Sequence, residues 1–240
     1  MTIDATDSIQ KYTEIEFCRV CENSDLVKIL SLGSQYISNY VDEKFVHSND
    51  DKVPLDLVLC PESSGGCGLL QSKHSASREL LYKEYWFRSG LNESMKSALK
   101  DITLNIEKIS TLNPEDLVLD IGCNDGSLLR SYDVNVVRVG FEPASNLVSE
   151  AKIGTDFIIN DFFNSNKFFE IFPEKKCKVI TSIAMFYDLD DPNEFVKNIV
   201  DCLHSNGIWI IQMAYLIPML KLNGFDNIGH EHLEYYSVKA

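Results

Sequence analysis

Positive charge is scarce in this sequence. Lys and Arg number 22 against 36 Asp and Glu, a formal net charge of −14 at pH 7, and no cluster of basic residues interrupts the acidic balance. Such a chain repels phosphate backbones, which argues against a nucleic-acid partner. Long apolar runs are also missing: none approaches the roughly 20 residues that a membrane-spanning helix needs. The opening stretch, MTIDATDSIQKYTEIE, is polar and acidic, unlike a signal peptide or a basic transit peptide. A cytoplasmic protein without a membrane partner is expected. No internal repeat or low-complexity segment is present, and 45% apolar with 24% charged residues is the composition of a folded domain. The seven cysteines are an odd number, which suits thiols or metal ligands in a reducing compartment better than a disulfide framework.

Three regions follow from the pattern of the residues. Residues 1–72 hold short extended runs, LVKILSLG and PLDLVLC, punctuated by the turn formers HSNDDK and PESSGGCG, and read as a small β-rich module. Residues 73–112 carry apolar positions at three- and four-residue intervals in SRELLYKEYWF and NESMKSALKDITLNIEKIS, which predicts helices in a linker or substrate-lid segment. Residues 113–240 alternate apolar strands (LVLDIG, VVRVGFE, DFIIN, KVITSIAMF, GIWIIQMAY) with helical stretches (GSLLRSY, ASNLVSEAK, PNEFVKNIVDCLHS). Such alternation predicts an α/β fold with a parallel sheet flanked by helices.

Four of the cysteines fall in the first module, as Cys18 and Cys21 in CRVC and Cys60 and Cys67 in CPESSGGC. A Cys-x-x-Cys turn presents two thiolates to one ion, and a second pair completes a tetrahedral structural zinc site. The second pair is wide, but Ser63, Ser64, Gly65 and Gly66 form a loop flexible enough to turn both sulfurs inward. A module this small has little core, so a metal would help it fold. Four half-buried thiols without metal are the alternative.

LVLDIGCNDGSLL, from Leu117 to Leu129, is a strand, a tight turn and a helix start. Asp120 closes the strand, and Gly122, Asn124 and Gly126 supply residue types that tolerate left-handed backbone. The spacing Gly-x-Asn-x-Gly differs from the Gly-x-Gly-x-x-Gly of nicotinamide-binding loops. Glu142 ends the following strand, some twenty residues on, where a carboxylate suits ribose hydroxyls. In SIAMFYDLDDP, Asp188, Asp190 and Asp191 stand at another strand end, open to a substrate-binding or a helix-capping reading, and for Asp191 before Pro192 capping the next helix is preferred. Near the end, FDNIGHEHLEYYS gathers His230, Glu231, His232, Tyr235 and Tyr236, a density of proton carriers open to a catalytic, a metal-binding or a merely solvated reading.

The Asp-x-Gly-x-Asn-x-Gly loop with its strand-terminal acid resembles class I S-adenosylmethionine-dependent methyltransferases. That resemblance implies a Rossmann-like sheet with a cofactor site in which Gly122, Asn124 and Gly126 face the cofactor's methionine and ribose part, Asp120 sits just below, Glu142 holds the ribose, and Asp161 and Phe162 lie at its adenine. Taken with CRVC, LYKEYWFRSGLNESM, MFYDLDDPNEF and the His-Glu-His loop, the order of motifs is similar to the zinc-containing sugar C-methyltransferases that act on nucleotide-linked keto-deoxysugars. The resemblance implies His232 as the base that forms an enolate, Glu231 as a substrate ligand, and Tyr82 and Tyr85 as groups that stabilise the enolate oxygen or shuttle protons. His230 would brace the loop, with Tyr235 and Tyr236 packed behind it. Two positions depart from the family pattern: Gly229 precedes His-Glu-His where members often carry Tyr, and Ala184 and Asp188 stand where some carry Asn and His. Relatives continue past this motif with further strands and a C-terminal domain, so an incomplete sheet and a downstream partner chain are expected. The competing expectation is a relative without turnover that serves as a partner subunit.

Overall fold

The computed structural model describes residues 11–37 and 52–240, so the turn expected at His47–Asp51 lies outside the described residues. Two compact units divide the chain: Met1–Leu81 together with Leu216–Ala240, and Tyr82–Tyr215. This division differs from the one that composition suggests at residues 72 and 112. Residues 216–240 join the cysteine module, and residues 82–112 join the strand–helix core.

The first unit opens with β1 (Tyr12–Glu14), β2 (Val27–Tyr36), β3 (Lys52–Leu59), β4 (Leu70–Ser72) and β5 (His74–Ala76), followed by the short helix α1 (Arg78–Tyr82). β1 and β5 pair antiparallel. In β3, Val53, Leu55 and Leu57 are buried with partly exposed residues between them, the alternation of a strand with one face on a core. SRELLYKEYWF is not the continuous helix that its periodicity predicts, because the backbone beyond Tyr82 is used elsewhere. The Lys83 carbonyl accepts from Ser145 N–H, and the Asn146 amide both accepts from Tyr85 N–H (3.0 Å) and donates to Tyr85 O (2.8 Å). Side-chain amides there replace the helical ladder.

The second unit then runs through α2 (Glu93–Ile109), β6 (Leu117–Ile121), α3 (Ser127–Arg130), β7 (Val137–Phe141), α4 (Val148–Ala151), β8 (Phe157–Ile159), α5 (Ser165–Ile171), β9 (Cys177–Ile183), α6 (Pro192–Cys202) and β10 (Leu203–Gln212). Asn92 caps α2 by accepting from Ser94 N–H, and Asp191 caps α6 by accepting from Glu194 N–H with Pro192 in the first turn. The helix expected through Ser205 stops at Cys202, where the chain passes directly into β10.

The five strands pair in parallel in the order β10-β9-β6-β7-β8. β6 is buried throughout, as a central strand covered on both faces must be. Leu117, Leu119 and Ile121 pack with Phe141, Phe168, Phe195 and Ile199. Val118 turns the other way, into a cluster with Leu99, Ile106, Leu128 and Leu129. The order reverses at β6, with β7 and β8 to one side and β9 and β10 to the other. Ligands of open α/β sheets bind at the carboxyl ends of the strands beside such a switch point.

The chain returns to the first unit as α7 (Leu216–Lys221) and β11 (Glu234–Tyr235). β11 adds to a four-stranded antiparallel sheet in the order β11-β4-β3-β2, with Glu234 opposite Gln71 and Tyr235 opposite Leu70. Among the described residues no helix is long and apolar enough to cross a membrane.

Candidate functional site

Cys18 and Cys21 sit in the turn between β1 and β2, and Cys60 and Cys67 in the loop between β3 and β4. Cys18 N–H donates to Asn23 O and Glu22 N–H to Cys18 O, which closes the first turn. Gly68 N–H to Cys60 O and Cys60 N–H to Leu69 O close the second. All four sulfurs lie within 4.8 Å of one another, with 3.6 Å between Cys18 and Cys67 and 3.5 Å between Cys21 and Cys60. Four thiolates about 2.3 Å from a central zinc at tetrahedral angles are about 3.8 Å apart, so the set fits that ion. Burial alone would raise the Cys21 thiol. The backbone N–H of Asn23 and the neighbouring thiols outweigh it and bring Cys21 down to about 7. Burial pushes Cys60 up to about 11 and Cys67 up to about 12, so a cation is what favours the full set of thiolates. Gly66 is required by close approach: a Cβ there would lie 2.5 Å from the Cys60 sulfur and 2.7 Å from Pro61 O.

In the second unit the glycine turn lies at the carboxyl end of β6. Gly122 (φ +71°) is exposed and Asn124 (φ +53°) is left-handed. A Cβ on Gly122 would meet only Met185, at 3.6 Å or beyond, so one side of that turn is open. Gly126 (φ +79°) precedes α3, and a Cβ there would meet Ala151 O at 2.9 Å. Gly126 is therefore a packing glycine as well as a turn glycine.

The two motif carboxylates, Asp120 and Glu142, are both buried. Asp120 is 3% exposed and accepts from Thr181 Oγ1 at 2.6 Å. Burial, opposed by that hydrogen bond and reinforced by the Glu142 charge, raises it to about 7. Glu142 is 5% exposed and accepts from Asn124 N–H (2.7 Å) and Ala144 N–H (2.8 Å). Burial raises its carboxyl, and the two N–H donors pull it back. Glu142 thus ties the turn after β6 to the turn after β7, with one carboxylate oxygen on each backbone. The Asn124 side chain turns toward residues 87–89, donating to Phe87 O and accepting from Ser89 N–H, both at 3.0 Å.

That contact belongs to a set the motif reading does not include. Asp125 accepts from Gly90 N–H at 2.6 Å and from Ser127 N–H at 3.0 Å, and a Cβ on Gly90 would strike Asp125 Oδ2 at 2.7 Å. Arg88 pairs with Glu150 at 3.0 Å. Together with Asn146, these groups hold the segment 83–90 across the turns after β6 and β7. Gly90 in RSGLN and the Asx side chains of CNDG were the only signals for it. Tyr82 meets Phe162 edge-on at 6.4 Å between ring centres and Tyr85 at 6.2 Å. Asp161 accepts from Phe162 N–H at 2.8 Å and pairs with Lys167.

His230, Glu231 and His232 belong to the first unit. His230 is buried and donates from Nε2 to Val53 O at 3.0 Å. His232 Nδ1 lies 2.6 Å from Asn227 O, and a carbonyl only accepts. Nδ1 therefore carries the hydrogen, and the basic lone pair is on Nε2. Burial, partly offset by that carbonyl, lowers the His232 pKa below the ordinary 6.5. The Tyr235 hydroxyl also reaches Asn227 O, at 3.4 Å, and the Tyr235 ring packs with Leu57 and Leu70. Tyr236 is buried beside it in sequence.

Residues 91–240 match the methyltransferase domain family, and residues 18–82 match a zinc binding domain. The chain belongs to the methyltransferase domain family. Its four-cysteine cluster lies within the residues that match the zinc binding domain and has the geometry to hold that ion. The chain is 28% identical over 228 residues to the C-methyltransferase NovU of Streptomyces niveus, covering 93% of this chain and 53% of that protein. It therefore spans about half the length of the curated relative it matches. Solved structures with similarity include the plantazolicin methyltransferase BamL in complex with S-adenosylhomocysteine (21% identity, 53% of this chain and 48% of that one, TM-score 0.41). The YcgJ protein of Bacillus subtilis is another (17% identity, 57% and 63%, TM-score 0.46).

Proposed function

We propose that this chain is an S-adenosylmethionine-dependent C-methyltransferase acting on a nucleotide-linked keto-deoxysugar. The observation that carries the reading is the open, left-handed Gly122 turn beside a switch point, with Glu142 buried next to it and held by the same turn. Family membership over residues 91–240 and the match to a C-methyltransferase support it. When bound, the cofactor would supply an electrophilic methyl group on a sulfonium. Gly122 would admit its methionine part, Asp120 and Glu142 would face its amino and ribose groups, and Phe162 would stack on adenine with Asp161 beside it.

Methylation at carbon needs a nucleophilic carbon, so a proton adjacent to a carbonyl must first be removed. We assign that step to His232, whose Nε2 lone pair is fixed by the Nδ1–Asn227 hydrogen bond. The carbon–hydrogen pair of electrons becomes the enolate, and the proton stays on Nε2. The enolate oxygen would be met by Tyr82 or Tyr85, and Glu231 would hold sugar hydroxyls. Calorimetry tests the cofactor: S-adenosylmethionine and S-adenosylhomocysteine bind and NAD does not, with about tenfold weaker binding in Glu142→Gln. Binding of NAD alone would overturn the reading. Transfer of labelled methyl to a nucleotide keto-sugar, lost in His232→Asn while cofactor binding persists, tests the chemistry.

A further inference from the structure

The two residues between Cys18 and Cys21 are Arg19 and Val20, and Arg19 is buried, with its side chain only 2% exposed. A buried guanidinium is costly unless its donors are met. Here Nη1 donates to Ser72 O (2.6 Å) and Gln71 Oε1 (3.3 Å), Nη2 donates to Ser75 Oγ (2.8 Å), and Nε lies 3.5 Å from Glu234 Oε1. Glu234 has a fully buried side chain and lies opposite Gln71 in the β11–β4 pair. It is two residues from His232, and Ser72 N–H donates to Leu233 O at 2.8 Å just between them. The thiolate turn, β4 and β11, which follows the His-Glu-His loop, are therefore joined by one buried cation.

We propose that Arg19 is a positioning residue through which zinc occupancy of the four-cysteine cluster sets the order of the His-Glu-His loop. Metal fixes the Cys18–Cys21 turn, the turn aims the guanidinium, and the guanidinium holds Glu234 and with it β11 and the residues before it. The functional part rests on His232 being the base, but the coupling does not. Such a coupling is reciprocal, so Glu234 should influence zinc retention although it is not one of the four cysteines.

The test uses the full chain and reads zinc and amide exchange rather than turnover. In the wild type, removing zinc with a chelator should speed exchange in residues 228–236 as well as in the cysteine turns, leaving 117–142 unchanged. Glu234→Gln keeps the shape and should lower zinc retention in chelator competition about fivefold or more. Arg19→Met should show fast exchange in 228–236 even when loaded with one zinc. If Arg19→Met also loosens 117–142, it has lost its fold, and Glu234→Gln decides the matter. Zinc retention of Glu234→Gln equal to the wild type, or exchange in 228–236 that ignores zinc, would overturn the proposal. Neither result bears on whether His232→Asn loses methyl transfer, so this inference and the catalytic assignment fail separately.

Discussion

Replacing Gly66 by Ala should empty the zinc site without touching a ligand. The added Cβ would sit 2.5 Å from the Cys60 sulfur, whereas ordinary contact begins at 3.4 Å, so the sulfur must retreat about 0.9 Å. It cannot be spared by moving the loop, because Pro61 O is only 2.7 Å away on another side. Metal–sulfur distances in a competent site vary by roughly 0.2 Å, several times less than this displacement. Structural zinc contributes roughly 10–16 kcal/mol of apparent binding in small modules, so losing one of four thiolates costs roughly 3 kcal/mol, more than a hundredfold in affinity. The control is Gly65→Ala. Gly65, unlike Gly66, is left-handed (φ +80°), but its nearest neighbour would be 3.9 Å away. That variant should lose about 1–2 kcal/mol of stability from backbone strain and keep its metal. Zinc content after dialysis against graded chelator, measured with thermal melts, separates the two. A Gly66→Ala protein holding zinc as tightly as the wild type would refute the reasoning, because the clash is with a proposed ligand atom.

Four further outcomes follow from the same geometry. His232 must be neutral to act as a base, and burial lowers its pKa, so the acid limb of kcat/KM should fall below pH 6.5 with a plateau above it. Stability from neutral His232 and His230 is likewise present above the unfolded value and lost as pH falls toward the lowered folded values. Asp120 titrates the other way. Its folded pKa is raised from 3.8 to about 7, so stability is fully present below the unfolded value and lost as pH rises through about 7. Asp120→Asn should therefore gain on the wild type by roughly 4 kcal/mol between pH 4 and pH 8, read from paired denaturation curves. Asn146→Ala removes both side-chain hydrogen bonds to Tyr85, each worth about 1 kcal/mol, and should speed Tyr85 amide exchange at least about tenfold while β6 and β7 amides keep their protection.

The parallel core was legible in the sequence because each strand is a run of apolar residues bounded by turn formers, with a helical period following it. Leu117 to Ile121 and Cys177 to Ile183 stand where that pattern puts them. The cysteines were legible because few other uses bring two pairs into one small module. What was not legible depends on partners distant in sequence. β11 is two residues long and exists through pairing with β4, and Glu234 looks like an ordinary surface acid until Arg19 is seen beside it. LYKEYWF has the spacing of a helix, but Asn146, more than sixty residues away, takes its backbone groups. Asn124 reads as a turn residue and Asp125 carries no reading of its own, and only the fold shows that their side chains grip residues 87–90. Local pattern sets the elements, whereas long-range polar pairs decide which unit a segment joins.

The most direct measurement follows the proton that the chemistry must remove. A nucleotide-linked keto-deoxysugar is incubated with the zinc-loaded chain in deuterated water and followed by NMR, first alone and then with S-adenosylmethionine. Deuterium is expected to enter at the carbon beside the carbonyl, and a new methyl group on that carbon to follow once the cofactor is added. His232→Asn is expected to abolish both and still bind S-adenosylhomocysteine. A methyl group appearing on oxygen, or methylation at carbon that survives intact in His232→Asn, would contradict the assignment.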